Sequence, residues 1–293
     1  MNALAWLVLL ALPALILASI SIDIIASEDK SEPQVHISGS EVNVISDIEI
    51  ESFKLYDNEL KRAVNADFGA TPNDVFLKSP TPWNDLYKKY GWTQVTRIFK
   101  PIRAKILSVK YNDKLVSTQV FRNPSTKVAT YRALIRHDVE DTIASIWETN
   151  EQLSTDFNIS YGTVIGKASV SYTSRWGENV MKSQTVTVGY ETGIVITLQP
   201  NQNVQAELYA TRGAITVQID YEATLDGYVA VNYAAAYRRH HFYGLDINEV
   251  LSAGNMKRSL FSSENITLSY YLDSEVVLHD YDTNDILYFP NLV

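Results

Sequence analysis

The sequence predicts a mostly β protein, built of long antiparallel strands with a small α+β head at its N-terminal end. Three observations predict it. From Val95 onward, runs rich in Val, Ile, Thr and Tyr alternate apolar and polar residues, the period-two signature of half-buried strands. Turn chemistry separates them, as in Gln199-Pro200-Asn201-Gln202-Asn203. The helical patterns all lie before Val95.

The chain has 293 residues, a formal net charge of −9 and no cysteine. That length accommodates one elongated all-β unit or two modest domains, with ample material for a core. The acidic balance argues against nucleic acid as a partner, because phosphate binding wants an excess of Lys and Arg. It argues equally against simple electrostatic docking on anionic lipid.

Residues 1–26 read as a secretory signal peptide. An apolar run, beginning Ala3-Leu4-Ala5-Trp6-Leu7 and reaching Ala18, carries no charge before Asp23. Pro13 interrupts it, and Ser19-Ile20-Ser21 ends it sooner than a membrane-spanning helix would need. Small residues suit cleavage after Ala18, Ser21 or Ala26; an uncleaved anchor is the other reading. Export without cysteine means that sheets alone hold the protein, with no covalent tie to stop a hairpin leaving. Two acceptor triplets agree with export and place glycosylation at Asn158 (Asn158-Ile159-Ser160) and Asn265 (Asn265-Ile266-Thr267).

Residues 28–34 are a polar linker. Val42-Asn43-Val44-Ile45 and Ile48-Glu49-Ile50 read as short strands. Leu60, Ala63, Val64 and Phe68 fall at helical spacing. Residues 81–91 read as a short helix: Thr81 caps it, Pro82 takes its first position, Lys88 and Lys89 close it and Gly91 stops it. Strands then follow at 102–109, 115–121, 128–137 and 143–147. After the central hairpin come 194–198, 204–210 and 214–221, these last two flanking a turn at Thr211-Arg212-Gly213, then 228–237 and 266–278.

Catalytic and metal motifs fail on inspection, and the reading is of a protein that is not an enzyme and holds no metal or cofactor. Gly162-Thr163-Val164-Ile165-Gly166-Lys167 lacks one spacer residue of a phosphate loop and sits in strand sequence. Asp280-Tyr281-Asp282-Thr283-Asn284 begins like a calcium loop, but Asp285 stands where glycine is required. His240 and His241 are adjacent on a strand and therefore face opposite ways, which suits no shared metal.

The central stretch, residues 158–190, carries the most pattern. Ala168, Val170 and Tyr172 fall on one strand face, and Lys167, Ser169, Ser171 and Thr173 on the other. A polar tip follows at Arg175, Trp176, Gly177, Glu178 and Asn179. The returning arm sets Val186, Val188 and Tyr190 against Thr185 and Thr187. Arms 166–174 and 182–190 have the ~9–11 residues that a tilted strand needs to cross a bilayer. An apolar face opposite a hydroxylated one describes a hairpin of a membrane barrel. It describes a half-buried hairpin of a soluble sheet as well, and pattern alone favours that commoner case.

Around this stretch the sequence resembles the aerolysin-like β-pore-forming proteins, of the epsilon-toxin and mosquitocidal-toxin type. The resemblance rests on Trp147-Glu148-Thr149 before the Ser/Thr-rich hairpin, on Leu198-Gln199-Pro200-Asn201-Gln202-Asn203 after it, and on Arg212-Gly213-Ala214-Ile215. Upstream, Pro72-Asn73-Asp74-Val75-Phe76 through Thr81-Pro82-Trp83 is similar to the spherulin-like insect branch. The resemblance implies an elongated aerolysin-like fold divided into a head and surface-binding region at 27–140 and a pore-forming module at 141–293. It implies a homo-oligomer, a ring of about seven copies, formed on a target membrane through an unidentified receptor, with a glycan as one candidate. Each copy then contributes one hairpin to a closed barrel, because only closure satisfies every backbone group in lipid. Ala168, Val170, Tyr172, Val186, Val188 and Tyr190 would face lipid; Lys167, Ser169, Ser171, Thr173, Thr185 and Thr187 would face the lumen; residues 175–179 would cross first. The protein would be secreted and extracellular, and membrane-inserted when oligomeric. The competing reading is a non-lytic secreted egg, yolk or matrix scaffold that keeps the same fold, since fold alone does not establish function.

Overall fold

The computed structural model describes residues 20–26, 30–148, 157–165, 168–176 and 182–287. Ile20–Ala26 form strand β1, and Gln34–Ser38 form β2. The expected leader therefore overlaps β1, while residues 1–19 lie outside the described residues. β3 (Glu41–Val44) precedes helix α1 (Asp47–Ser52), where sequence reading expected a second strand. The cause is a capping box: Ser46 Oγ accepts from the Glu49 amide, and Glu49 Oε2 accepts from the Ser46 amide at 2.7 Å. Glu49 is then buried against Arg97, with Nε donating to Oε1 at 2.6 Å.

Helix α2 (Asp57–Phe68) buries Leu60, Ala63 and Val64, and ends at Gly69 in the left-handed region, as helical spacing predicted. β4 (Asp74–Phe76) and α3 (Pro82–Tyr90) follow. α3 differs from its expected form. Trp83, Asn84 and Asp85 all have positive φ, and the Thr81 hydroxyl accepts from Leu86 N at 2.8 Å instead of capping the first turn.

The body strands are longer than the sequence runs suggested. β5 (Thr96–Arg122) and β6 (Ala129–Glu148) each fuse two expected strands. β7 (Phe157–Ile165), β8 (Ala168–Trp176) and β9 (Lys182–Leu198) lead to β10 (Asn203–Asp226). β10 runs straight through Thr211-Arg212-Gly213, which is a register shift between Ala210 and Arg212 and not a turn. β11 (Tyr228–Tyr237), β12 (His240–Asp246), α4 (Ile247–Ala253), β13 (Ser259–Asp280) and β14 (Ile286–Leu287) complete the order.

Among the described residues these strands form three sheets. The long one runs β3-β5-β10-β13-β6-β9, with β14 on β13. The second runs β2-β1-β7-β8, and the third runs β12-β11-β4; with the helices it forms a head built from residues on both sides of position 140. One core joins the head to the second sheet: Ile20, Ile22 and Ile24 pack with Ile215, Val217 and Ile219 of β10, and with Leu60, Val64 and Val250 of the helices. A separate core at the other end of the long sheet gathers Phe121, Ile135, Ile194, Leu198 and Leu208. There Asn123, 1% exposed, directs its amide at the carbonyls of Lys127, Leu198 and Gln199, tying two turns together. Buried Tyr221 stacks on Phe99 and donates to buried Glu264 at 2.7 Å; burial pushes its hydroxyl well above the ordinary phenol range, so it stays a donor.

Candidate functional site

The chain leaves the long sheet between β10 and β13, where it forms β11, β12 and α4, and between β6 and β9, where it forms β7 and β8. β6 and β9 pair antiparallel from Ala129 with Leu198 to Ser145 with Lys182. Between them the chain leaves that sheet, forms β7 and β8 in the second sheet, and returns. β7 and β8 pair with one another from Phe157 with Trp176 to Ile165 with Ala168, so the chain reverses between Ile165 and Ala168. Both strands have nine residues.

This pairing differs from the expected hairpin. Residues 166–174 and 182–190 were to be its arms; instead β8 pairs with β7, and β9 pairs with β6. Arg175 and Trp176, expected at the tip, stand opposite Asn158 and Phe157 at the open end of the ladder. Lys167, Gly177, Glu178 and Asn179 lie outside the described residues. Ala168, Val170 and Tyr172 are opposite Ile165, Thr163 and Tyr161, whereas Ser169, Ser171 and Thr173 are opposite Val164, Gly162 and Ser160. In β9 the partners are of another kind. Val186, Val188 and Tyr190 are opposite Asp141, Val139 and His137, and Thr185 and Thr187 opposite Thr142 and Glu140.

Sequence reading missed β7. Its signal was present in Phe157, Ile159, Tyr161, Thr163 and Ile165, alternating with Asn158, Ser160 and Gly162. Gly162 and Gly166 obscured it, because glycine weakens a strand pattern.

The hairpin is moored by β1. Ile20–Ala26 pair in parallel with residues 159–165, and among the described residues β7 has no other ladder partner besides β8. β1 itself is fixed by its buried isoleucines, whose core includes residues of β10 and β13. Parallel pairing is slightly weaker per residue than antiparallel. β8 forms the sheet's outer edge, an arrangement open to pairing with another chain. Of the two glycosylation candidates, Asn158 lies in β7, and Asn265 lies in β13 between Gln218 and Ile146, its Oδ1 buried. Elsewhere, Lys257 and Arg258 line an open groove of about 840 Å³ with Glu222, Asn248 and Phe261. No group of acidic, His or Cys side chains with metal-holding geometry occurs among the described residues.

No protein-family model matches the chain. U-megalopygitoxin(8)-Mo12 of Megalopyge opercularis is 36% identical over 248 residues, covering 84% of this chain and 86% of that protein. U-megalopygitoxin(8)-Mc8 of Megalopyge crispata is 35% identical over the same shares of each. Among solved structures, parasporin-2 of Bacillus thuringiensis, a toxin that recognizes cancer cells, has a TM-score of 0.62 at 13% identity. The match covers 82% of this chain and 98% of parasporin-2.

Proposed function

The chain belongs to the family of the U-megalopygitoxin(8) proteins and has the aerolysin-like fold, and on that premise we propose that it is a secreted toxin-like protein that assembles on a target membrane and inserts β7–β8 as a pore-lining hairpin. One observation carries the reading. A two-stranded unit with arms of nine residues is inserted in the chain between β6 and β9 and is parked in a different sheet. Nine residues lie within the ~9–11 that a tilted strand needs to cross a bilayer.

The register sharpens the assignment. In β7–β8, alternation groups Phe157, Ile159, Tyr161, Thr163, Ile165, Ala168, Val170, Tyr172, Ser174 and Trp176 in one, mostly apolar row, and Asn158, Ser160, Gly162, Val164, Ser169, Ser171, Thr173 and Arg175 in the other, mostly polar one. The first row faces lipid and the second the lumen. The Val186, Val188 and Tyr190 row of β9 includes Asp141 and His137 across the ladder, which are costly in hydrocarbon. That part of β9 therefore stays above the bilayer, as a collar continuous with the crossing strands. A lone hairpin has two open edges; a ring of copies closes them.

β1 is the mooring that must yield. A leader cut after Ala26 would remove it and one after Ser21 would shorten it, so of the three candidate cuts the one after Ala18 leaves β1 whole. The test of the pore reading is dye release from liposomes and cells by the full secreted chain, with and without trypsin, at neutral and acidic pH, followed by electron microscopy. Release with uniform rings supports it; silence under every condition, with intact soluble protein, supports the non-lytic scaffold.

The mooring has its own test. Ser21 and Ser160 are partners across the β1–β7 ladder, and strands ~4.8 Å apart are within disulfide reach. The chain has no cysteine, so Ser21→Cys with Ser160→Cys gives one defined crosslink. Release is expected to fall to background when the pair is oxidised and to return on reduction. Undiminished release from the oxidised protein would exclude separation of β7 from β1.

A further inference from the structure

The head carries an aromatic face: Trp92 and Phe242 pack on Leu86, Tyr87 and Ala230, while Trp83 and Tyr90 stay exposed beside them. Trp83 and Tyr90 are 43% and 44% exposed. Trp83 lies 5.2 Å from Phe242 between ring centres, and Tyr90 stacks on Trp92 at 4.8 Å. Phe242 joins the two pairs, 6.2 Å from Tyr90. The rings come from α3, from the residue just beyond it and from β12. Gly244 holds the indole of Trp92 close, since a Cβ there would come within 2.7 Å of that ring.

The backbone is strained to make this arrangement. Trp83, Asn84 and Asp85 have φ of 63°, 65° and 59°. Left-handed backbone is costly for residues with a Cβ, and runs of it persist where function holds them. Asp85 is buried, with Oδ1 accepting from Ser79, while Oδ2 makes no hydrogen bond and meets Lys88 Nζ at 3.4 Å.

We propose that this face, Trp83, Tyr90, Trp92 and Phe242 rimmed by Lys88 and Lys89, docks the head on a zwitterionic phospholipid surface. The proposal rests on the membrane-acting function above and adds the surface that makes first contact. Amphipathic rings of Trp and Tyr settle at the headgroup level of bilayers. Lys88 and Lys89 supply cations for lipid phosphate, and the apolar stem of Lys89 lies along the same face. Lys89 Nζ stands 5.2 Å from the Tyr90 ring centre and 5.5 Å from that of Phe242. Those ring faces are thus already occupied by a cation, which disfavours a caged choline and favours the phosphate. Trp83 and Tyr90 are exposed over half-buried Trp92 and Phe242, an arrangement suited to a plane and not to enclosure of a small soluble ligand. With a net charge of −9, attraction to anionic lipid is opposed, so the apolar rings and a neutral surface carry the contact.

Flotation of the full chain with phosphatidylcholine vesicles tests this. The parent is expected to float, Trp83→Ala to lose about tenfold in partitioning, and Trp83→Phe to retain most of it. The oxidised Ser21→Cys, Ser160→Cys protein is expected to float like the parent while releasing no dye, which separates docking from insertion. If Trp83→Ala floats like the parent, the assignment of this face is wrong. If no protein-free vesicle is bound, and binding to cells depends on Trp83 and is lost after glycosidase treatment, the face reads a glycan and the lipid proposal falls.

Discussion

Val170→Asp is expected to reduce dye release to background, whereas Val186→Asp is expected to leave it within a few-fold of the parent. The two residues look equivalent in sequence, each a valine in an alternating strand. The ladder separates them. Val170 is opposite Thr163 within the β7–β8 hairpin, and Val186 is opposite Asp141 in the β6–β9 ladder. A Lys or Arg on the lipid face of a barrel strand costs about 2–4 kcal/mol at mid-bilayer and a carboxylate less, on the order of 1 kcal/mol. Every copy in a ring bears that cost, so four copies alone reach about 4 kcal/mol, about a thousandfold in the equilibrium constant. A second carboxylate near Asp141 meets water and a like charge, a smaller penalty. Size-exclusion profiles and circular dichroism of both variants establish that the soluble fold survives. The reverse outcome, Val186→Asp silent and Val170→Asp active, would restore the arms expected from sequence and sink the β7–β8 assignment.

Where the sequence was readable, the signal was local. Helix α2 followed from Leu60, Ala63 and Val64 at helical spacing, and the alternating burial of β10 is the pattern that period-two hydrophobicity anticipates. What failed was decided by partners far along the chain. Residues 48–50 look like a strand by their isoleucines, but Ser46 and Glu49 close a capping box and Arg97 draws the carboxylate inward. Thr211-Arg212-Gly213 looks like a turn, yet flanking strands β5 and β13 carry β10 across it. β1 was hidden by its neighbours: Ile20, Ile22 and Ile24 alternate with Ser21 and Asp23, but the apolar run before them reads as a leader.

The candidate site was half legible for the same reason. Its position near mid-chain and the face pattern of Ala168, Val170 and Tyr172 were visible in the residues themselves. The choice of partner was not. β8 can satisfy its alternation against β7 or against β9, and the hydrophobic pattern of a single strand does not select between them. The parallel ladder to β1 is longer-range still, joining residues 20–26 to 159–165. The resemblance to aerolysin-like proteins supplied the family and the idea of an inserting hairpin, whereas the pairing of β8 with β7, one strand earlier than the expected arm, is read from the ladder alone.

Glu49→Ala is expected to destabilise the head by about 3–5 kcal/mol, the cost of breaking a buried ion pair. Arg97 and Glu49 are 2% and 1% exposed. The carboxylate also accepts from the amide and hydroxyl of Ser46, so the substitution removes the capping box along with the charge. The guanidinium would keep only Glu41, whose carboxylate is 3.6 Å away and whose carbonyl is 3.4 Å away. Because Glu41 lies in β3, which pairs with β5 around Phe99 and Arg97, the loss should spread from α1 into the edge of the long sheet. Denaturant unfolding followed by intrinsic fluorescence reads the effect. The double variant Glu49→Leu with Arg97→Met separates charge from packing. If the penalty comes from an abandoned guanidinium, replacing both partners with apolar side chains recovers most of the lost stability, as it does for other buried pairs. If the double variant is as unstable as Glu49→Ala, the capping box and the Arg97 stem over Phe99 are what hold α1 to the sheet, and the ion pair is secondary.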